Sequence, residues 1–300
     1  MSTEIITSEA QLSVAVHCPN CEAPLAGHYC AHCGQANHPL DPRLHDLAHE
    51  LMHEFLHLDG KILSTLKSLI FYPGRLSAEL LAGKRARSIG PVRLYLTMSV
   101  LFFLLLAHDS KSSQIKTDEN VAPQISLQLD DADADQTVKN ANRAATAPQA
   151  RHAFWKQKIE ERVRKIYAHP DEFGHELQVN CSHAMFVLVP LFALLLQLAY
   201  RNRSHHYPAY IYFSLHYHAF VFLLFSLSML VGLLKISLLD ALLGWIIFLG
   251  VPVYLYLAMR RVFGGSAKRT LLRLTMLSAT YSFCLVVAIT VVFAVTVIYL

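Results

Sequence analysis

The densest set of metal-binding side chains in the sequence is the segment HCPNCEAPLAGHYCAHCGQ. It holds two Cys-x-x-Cys pairs, Cys18/Cys21 and Cys30/Cys33, separated by eight residues. Each pair can set two thiolates on one face of a tight turn, and two such turns can close a tetrahedron around Zn²⁺. Pro19 stiffens the first turn. Gly34 suits the turn after the second pair, where backbone N–H groups approach the sulfurs. The spacer between the pairs is long enough for a short hairpin. Clustered thiols in a reducing compartment read as metal ligands more than as disulfides, and an iron–sulfur or redox role is the competing reading. His17, His28 and His32 are alternative ligands, but Cys18, Cys21, Cys30 and Cys33 already fill a tetrahedral shell. The expected cofactor is therefore structural Zn²⁺, in a zinc-ribbon-like knuckle with no open position for catalysis. Cys181 and Cys284 stand alone and read as small buried side chains with no bridge between them.

A second candidate for chemistry follows. His45, His49, His53 and His57 recur every four residues, and HELMHEFLH contains two overlapping H-E-x-x-H strings. Read as a zinc protease, His49 and His53 would hold the metal, Glu50 or Glu54 would be the general base, and Glu79 a third ligand. Several features weigh against it. The chain carries 17 histidines, so such strings arise by chance. Two overlapping copies cannot serve one metal, and the segment is short and precedes the first membrane span. The favoured reading is the solvated polar face of an amphipathic helix. A non-catalytic metal-binding or proton-sensing stripe stands between the two. Enzyme activity stays open on these residues, with the balance against it; the alternative catalytic set is His49, Glu50 and His53.

The elements that would position these groups are helical. Asp41 can cap and Pro42 can start a helix whose apolar residues Leu44, Leu47, Ala48, Leu51, Phe55 and Leu58 share one face, opposite the histidines. Lys61–Phe71 continues an amphipathic pattern. Pro73-Gly74 breaks it, and Leu76–Leu81 forms a further short helix ended by Gly83. Lys84, Arg85 and Arg87 then form a basic group suited to anionic headgroups, although the ordinary orientation signal of a membrane protein alone suffices to account for it and is the favoured reading.

Beyond that point the composition is that of a membrane protein. Of 300 residues 54% are hydrophobic and 16% charged, where globular averages are nearer ~25% charged. The net charge of +4 points to no nucleic-acid partner. A hydrocarbon core needs about 20 mostly apolar helical residues to cross it. The runs Ile89–Ala107, Ala184–Tyr200, Tyr217–Leu234, Leu238–Ala258 and Leu277–Ile298 meet that need or come near it. Met1–Val16 lacks the basic start and apolar run of a secretory leader, so the N-terminus is expected in the cytoplasm. Five crossings then place Lys84/Arg85/Arg87/Arg93, Arg201/Arg203 and Arg260–Arg273 on the cytoplasmic side and the C-terminus in the periplasm. Between the first two spans, Asp109–Gln149 reads as disordered and Arg151–His169 as an amphipathic surface helix. Inside the spans His216 and His218 are expected to open the third helix. With Tyr210, Tyr212 and Tyr217 they would form an interfacial aromatic belt; their two-residue spacing makes them a poor ligand pair. A transport path would need one of them, Gln197 or Asp240 to face a polar cavity.

The fold class expected is mainly α: a polytopic helical membrane protein with about five spans and a small four-cysteine knuckle. The expected domains are a zinc knuckle over 1–40, amphipathic juxtamembrane helices over 41–88, a first span over 89–107, a periplasmic loop over 108–183 and a four-helix membrane region over 184–300. This layout resembles a bacterial inner-membrane protein family known only as a domain of unknown function. The stretches that carry the resemblance are CPNCEAPLAGHYCAHCGQ, HEFLHLDGKILSTLKSLIFYPGR, LAGKRARSIGPVRLYL, MFVLVPLFALLLQLAYRNR, YIYFSLHYHAFVFLL and YLYLAMRRVFGGS. They cover most of the chain outside Asp109–Gln149 and the last span. The resemblance implies the same fold and metal and brings no activity; the family pattern does not require the doubled H-E-x-x-H string. The leading expectation is an inner-membrane scaffold or regulatory protein whose knuckle docks a cytoplasmic protein partner. A membrane metalloprotease and a transporter or lipid-handling protein are the alternatives.

Overall fold

The protein is described here from a computed structural model covering residues 17–25, 27–37, 61–114, 158, 161, 162, 164, 166, 170–201 and 206–299. Among these residues there are seven named helices and no named strand. They are α1 (Ile62–Phe71), α2 (Arg75–Leu81), α3 (Pro91–Gln114), α4 (Pro170–Ala199), α5 (Tyr207–Gly232), α6 (Ser237–Phe263) and α7 (Ala267–Tyr299). Five of them, α3 to α7, are long and apolar enough to cross a membrane. The expected helical membrane class and the number of spans are thus met.

Prolines and glycines mark the boundaries for ordinary reasons. Pro91 and Pro170 open α3 and α4, and Pro208 sits in the first turn of α5, where the missing N–H would have had no helical partner. Gly264, at φ 63°, ends α6 in a conformation that other residues adopt only at a cost. The third span differs from expectation. Its helix starts at Tyr207, so His216 and His218 lie within it and do not open it, and both are buried with Tyr210. Pro208 nucleates the helix earlier than the apolar run begins. α4 likewise starts before the apolar run at Ala184, because Glu172, His175 and Glu176 are carried on its first turns.

The chain divides into two compact units. The first comprises Met1–Leu101 and Val189–Ser278, the second Phe102–Leu188 and Ala279–Leu300. In the first unit the ends of four helices meet around Phe263. Its ring lies 4.7 Å from Tyr200, 5.1 Å from Tyr210 and 5.2 Å from Phe213, centroid to centroid. The Arg273 guanidinium sits 4.3 Å over the Tyr200 ring. Lipid tails are as apolar as leucine, so helices in a bilayer associate by close packing and interhelical hydrogen bonds. Both are present: Ala193, Ala219 and Ala258 are buried, and Ser214 donates to the Val189 carbonyl at 2.8 Å.

Helices α1 and α2 form a hairpin against α5 and α6. Its turn at Gly74 has φ 73°, and a Cβ there would lie 2.8 Å from the Ala258 Cα, so only glycine fits on both counts. Tyr254 donates to the Leu69 carbonyl at 2.9 Å, and Arg261 to the Pro73 carbonyl at 2.8 Å. Ser77 Oγ and His216 Nδ1 are 2.9 Å apart, both buried. Thr65 Oγ1 bonds back to the Lys61 carbonyl and accepts from the Ile89 N–H, closing the path from α1 into α3.

The second unit has its own contacts. Gln178 donates to the Phe103 carbonyl at 2.8 Å, Asn180 to Thr296 Oγ1 at 3.0 Å and Arg162 to the Val297 carbonyl at 2.7 Å. The expected surface helix Arg151–His169 is described at residues 158, 161, 162, 164 and 166, each of them helical. Cys181 in α4 and Cys284 in α7 are half-buried free thiols.

Candidate metal centre

The knuckle is built from two copies of one turn. In the first, the Cys18 N–H donates to the Ala23 carbonyl and the Glu22 N–H to the Cys18 carbonyl, each at 2.8 Å. In the second, the Cys30 N–H donates to the Gln35 carbonyl at 2.9 Å and the Gly34 N–H to the Cys30 carbonyl at 2.8 Å. The residue after each pair turns the chain back in the left-handed region, Glu22 at φ 63° and Gly34 at φ 72°. Single antiparallel bridges, His17 with Pro24 and Tyr29 with Ala36, close the two loops.

These turns bring together all four cysteines named from the sequence. Their sulfurs lie within 4.8 Å of one another. Cys18 and Cys33 approach to 3.6 Å, and Cys21 and Cys30 to 3.5 Å. A tetrahedral ion with bonds of about 2.3 Å to sulfur has edges of about 3.8 Å, so the set is close to the size such an ion requires. It is too wide for disulfides, whose sulfurs sit about 2.05 Å apart. Cys18 and Cys30 are buried, Cys21 and Cys33 partly so. The four cysteines are therefore a site able to hold a metal ion, and four soft sulfur donors with no fifth group suit Zn²⁺ or iron.

The thiols are not equivalent. The Asn20 side chain and then the Gln35 backbone N–H hold Cys33 down at about 6. The backbone N–H groups of Cys33 and His32 lower Cys30. At Cys21 the Ala23 N–H pulls downward, but burial and the three neighbouring thiols together push it up to about 12. The surroundings thus favour ionisation at Cys33 and Cys30 and disfavour it at Cys21. Asn20 and Gln35 were not singled out from the sequence. Their positions beside Cys21 and Gly34 were visible, but the groups they would bond were not.

Gln35 also joins the knuckle to the rest of its unit. Its Nε2 donates to the Gly83 carbonyl at 2.7 Å, and its Oε1 accepts from the N–H groups of Arg85 at 3.0 Å and Ala86 at 3.2 Å. The side chain is buried. One amide therefore satisfies three backbone groups of the loop that carries Lys84, Arg85 and Arg87.

Residues 59–103 match the family described as protein of unknown function, DUF3667. The likeness expected from the sequence, to a family of unknown function, is met on that stretch, beside the cysteine cluster and the apolar helices. The DUF3667 match takes in α1, α2, the loop clamped by Gln35 and the first part of α3. It stops short of the knuckle. Comparison with curated proteins and with solved structures gave no match.

The other residues named from the sequence fare differently. His45, His49, Glu50, His53, Glu54 and His57, with the helix Leu44–Leu58, lie outside the described residues. His216 and His218 do point apart, as their spacing requires: one meets Ser77, and the other the Ser214 carbonyl at 2.8 Å. Asp240 stands exposed in the first turn of α6, where the helix dipole favours it.

Proposed function

We propose that the chain is a multi-pass protein of the bacterial inner membrane whose knuckle holds a structural Zn²⁺ and docks a cytoplasmic protein partner. The observation that carries this reading is the closed set of four sulfurs joined by Gln35 to the loop before α3. A full shell leaves no position for substrate, so the ion's contribution is to fold the knuckle and fix its surface. That surface presents Tyr29, 68% exposed, together with His28 and His32. An exposed aromatic on a rigid turn suits recognition by another protein.

The orientation rests on charge. Arg201, Arg260, Arg261, Lys268 and Arg269 flank the helix ends that meet around Phe263, and Lys84, Arg85 and Arg87 precede α3. Basic residues favour the cytoplasmic side, which supports a cytoplasmic knuckle and a periplasmic C-terminus. Lys84, Arg85 and Arg87 then face anionic headgroups, each contributing about 1 kcal/mol near the surface.

Metal content of the purified full chain tests the reading, together with capture of partners by crosslinking in membranes. The expected result is a single zinc per chain, with metal and crosslinked partner both lost in the Cys18→Ser/Cys21→Ser form. If that form keeps its zinc, its fold and its complexes, the proposal fails. A second zinc, lost on His49→Ala/His53→Ala, would instead turn attention to HELMHEFLH as a metal site.

A further inference from the structure

A groove of ≈ 420 Å³ runs between the second half of α6 and the first turns of α7. Pro252, Val253 and Leu271 wall it, and Ala267 leaves it open by being small. Its polar edge is made by Tyr256 and Lys268. Both helices are of membrane-spanning length, so the apolar matter available to this groove is lipid.

The charge at its edge has one sign. Lys268 stands in the first turn of α7, a turn with no acidic residue. The Arg260 guanidinium lies 5.8 Å from the Tyr256 ring centroid, which puts a second cation beside the groove. Among the described residues the ion pair present is Arg75–Glu79, so neither Lys268 nor Arg260 is neutralised there. The first N–H groups of any helix lack an intrahelical acceptor and carry the positive end of its dipole. At α7 they follow Gly264 and Gly265, both at positive φ. A helix start preceded by glycines and joined by two cations favours an anion of phosphate type.

We propose that this groove is a binding site for an anionic phospholipid. One acyl chain lies along Pro252, Val253 and Leu271. The phosphate meets Lys268, Arg260 and the start of α7. The site is separate from the knuckle and adds a lipid ligand to the function proposed above.

The test uses the full chain reconstituted in vesicles of phosphatidylcholine with a minor fraction of phosphatidylglycerol. The protein is then extracted in mild detergent, and the lipid retained on each chain is identified by mass spectrometry. Phosphatidylglycerol is expected to be enriched over its share of the vesicle. Lys268→Gln should weaken retention roughly fivefold, and Lys268→Gln/Arg260→Gln roughly thirtyfold. Ala267→Phe should displace the chain by filling the groove. Lys268→Arg should keep the lipid, which separates a lost site from a lost fold. Lys61→Gln/Lys67→Gln removes equal charge from α1 and should leave retention unchanged. Retention of phosphatidylcholine in proportion to its abundance would overturn the proposal. So would displacement of the lipid by inorganic phosphate, or a loss on Lys61→Gln/Lys67→Gln as large as that on Lys268→Gln/Arg260→Gln.

Discussion

Among the described residues, the buried side chains of the knuckle are two sulfurs and two amides, Cys18, Cys30, Asn20 and Gln35; those of the helices of the same unit are mostly rings and aliphatic groups, with hydroxyls such as Thr65, Ser77 and Ser214 among them. Among the described residues the knuckle has no apolar core to fold around, and its strand pairing is two isolated bridges. Its four sulfurs lie within 4.8 Å of one another instead. The helices close their own backbone hydrogen bonds and lock by close approach, as at Gly74 against Ala258. One region is thus organised around a site able to hold a metal ion and the other around packed side chains. Gln35 lets the first report to the second. It holds the loop at Gly83, Arg85 and Ala86 only while the turn that carries it is formed.

The largest effect expected from this contrast is metal loss. Structural zinc sites contribute about 10–16 kcal/mol of apparent binding, far more than so small a segment can replace. Cys18→Ser/Cys21→Ser, or a strong chelator, should expose residues 17–37 to amide exchange and leave the helical circular dichroism unchanged. Loss of helix on chelation would break the contrast at once.

Gly74→Ala attacks the other side of it. A left-handed φ costs a non-glycine residue about 1–2 kcal/mol, and a clash against backbone about 1–3 more. Thermal unfolding of the helical unit should move down accordingly, with zinc content untouched. Zinc loss on Gly74→Ala would show that the two regions fold as one.

Gln35→Ala cuts the joint alone. It leaves the Ala86 N–H without its partner and the Arg85 N–H and Gly83 carbonyl with only each other, at 3.1 Å, a cost of about 1–3 kcal/mol. Amide exchange should rise at Arg85 and Ala86 while zinc stays bound. Unchanged exchange at those two amides would mean that the loop is held by other contacts.

Titration sharpens the picture of the ion's ligands. Cys21, raised to about 12, must give up a proton to the ion at any working pH, whereas Cys33, lowered to about 6, is already a thiolate above that value. Zinc affinity should therefore fall as pH falls. Below about pH 6 it should fall more steeply, because Cys33 must then lose its proton as well. A competition assay between a chromophoric chelator and the protein reads this as a steeper slope below pH 6; one slope throughout would mean that Asn20 does not hold Cys33 as the geometry implies.

The sequence showed the ligands because thiolate chemistry is local: Cys18, Cys21, Cys30 and Cys33 declare their turns by spacing alone. It showed the spans because length and apolarity suffice to cross a membrane. What it hid are contacts between distant segments. His216 lies in a helix apolar on every side, so no periodicity marks the face that Ser77 approaches from 139 residues away. The Gly74–Ala258 contact is equally silent, since a Pro-Gly pair reads as a turn whatever lies against it. Gln35 shows the limit most plainly. It is the residue after the knuckle's last glycine, and nothing near it in sequence says that it will reach Gly83.

The smallest effect expected comes from the one asymmetry between the two cysteine turns. Gly34 takes its left-handed conformation freely, but Glu22 holds the equivalent position with a side chain. Glu22→Gly removes a strain of about 1–2 kcal/mol and adds about 0.5–1 kcal/mol of chain entropy to the unfolded state, for a net gain near 0.5–1 kcal/mol. Zinc should bind about two- to fivefold more tightly in chelator competition. The substitution also removes a negative charge beside an anionic sulfur set, and Glu22→Gln removes that charge while keeping the strain. If Glu22→Gln leaves affinity unchanged and Glu22→Gly raises it, the backbone is the cause and the two turns are true copies. If both raise it equally, electrostatics is the cause and the left-handed turn at Glu22 carries no measurable cost.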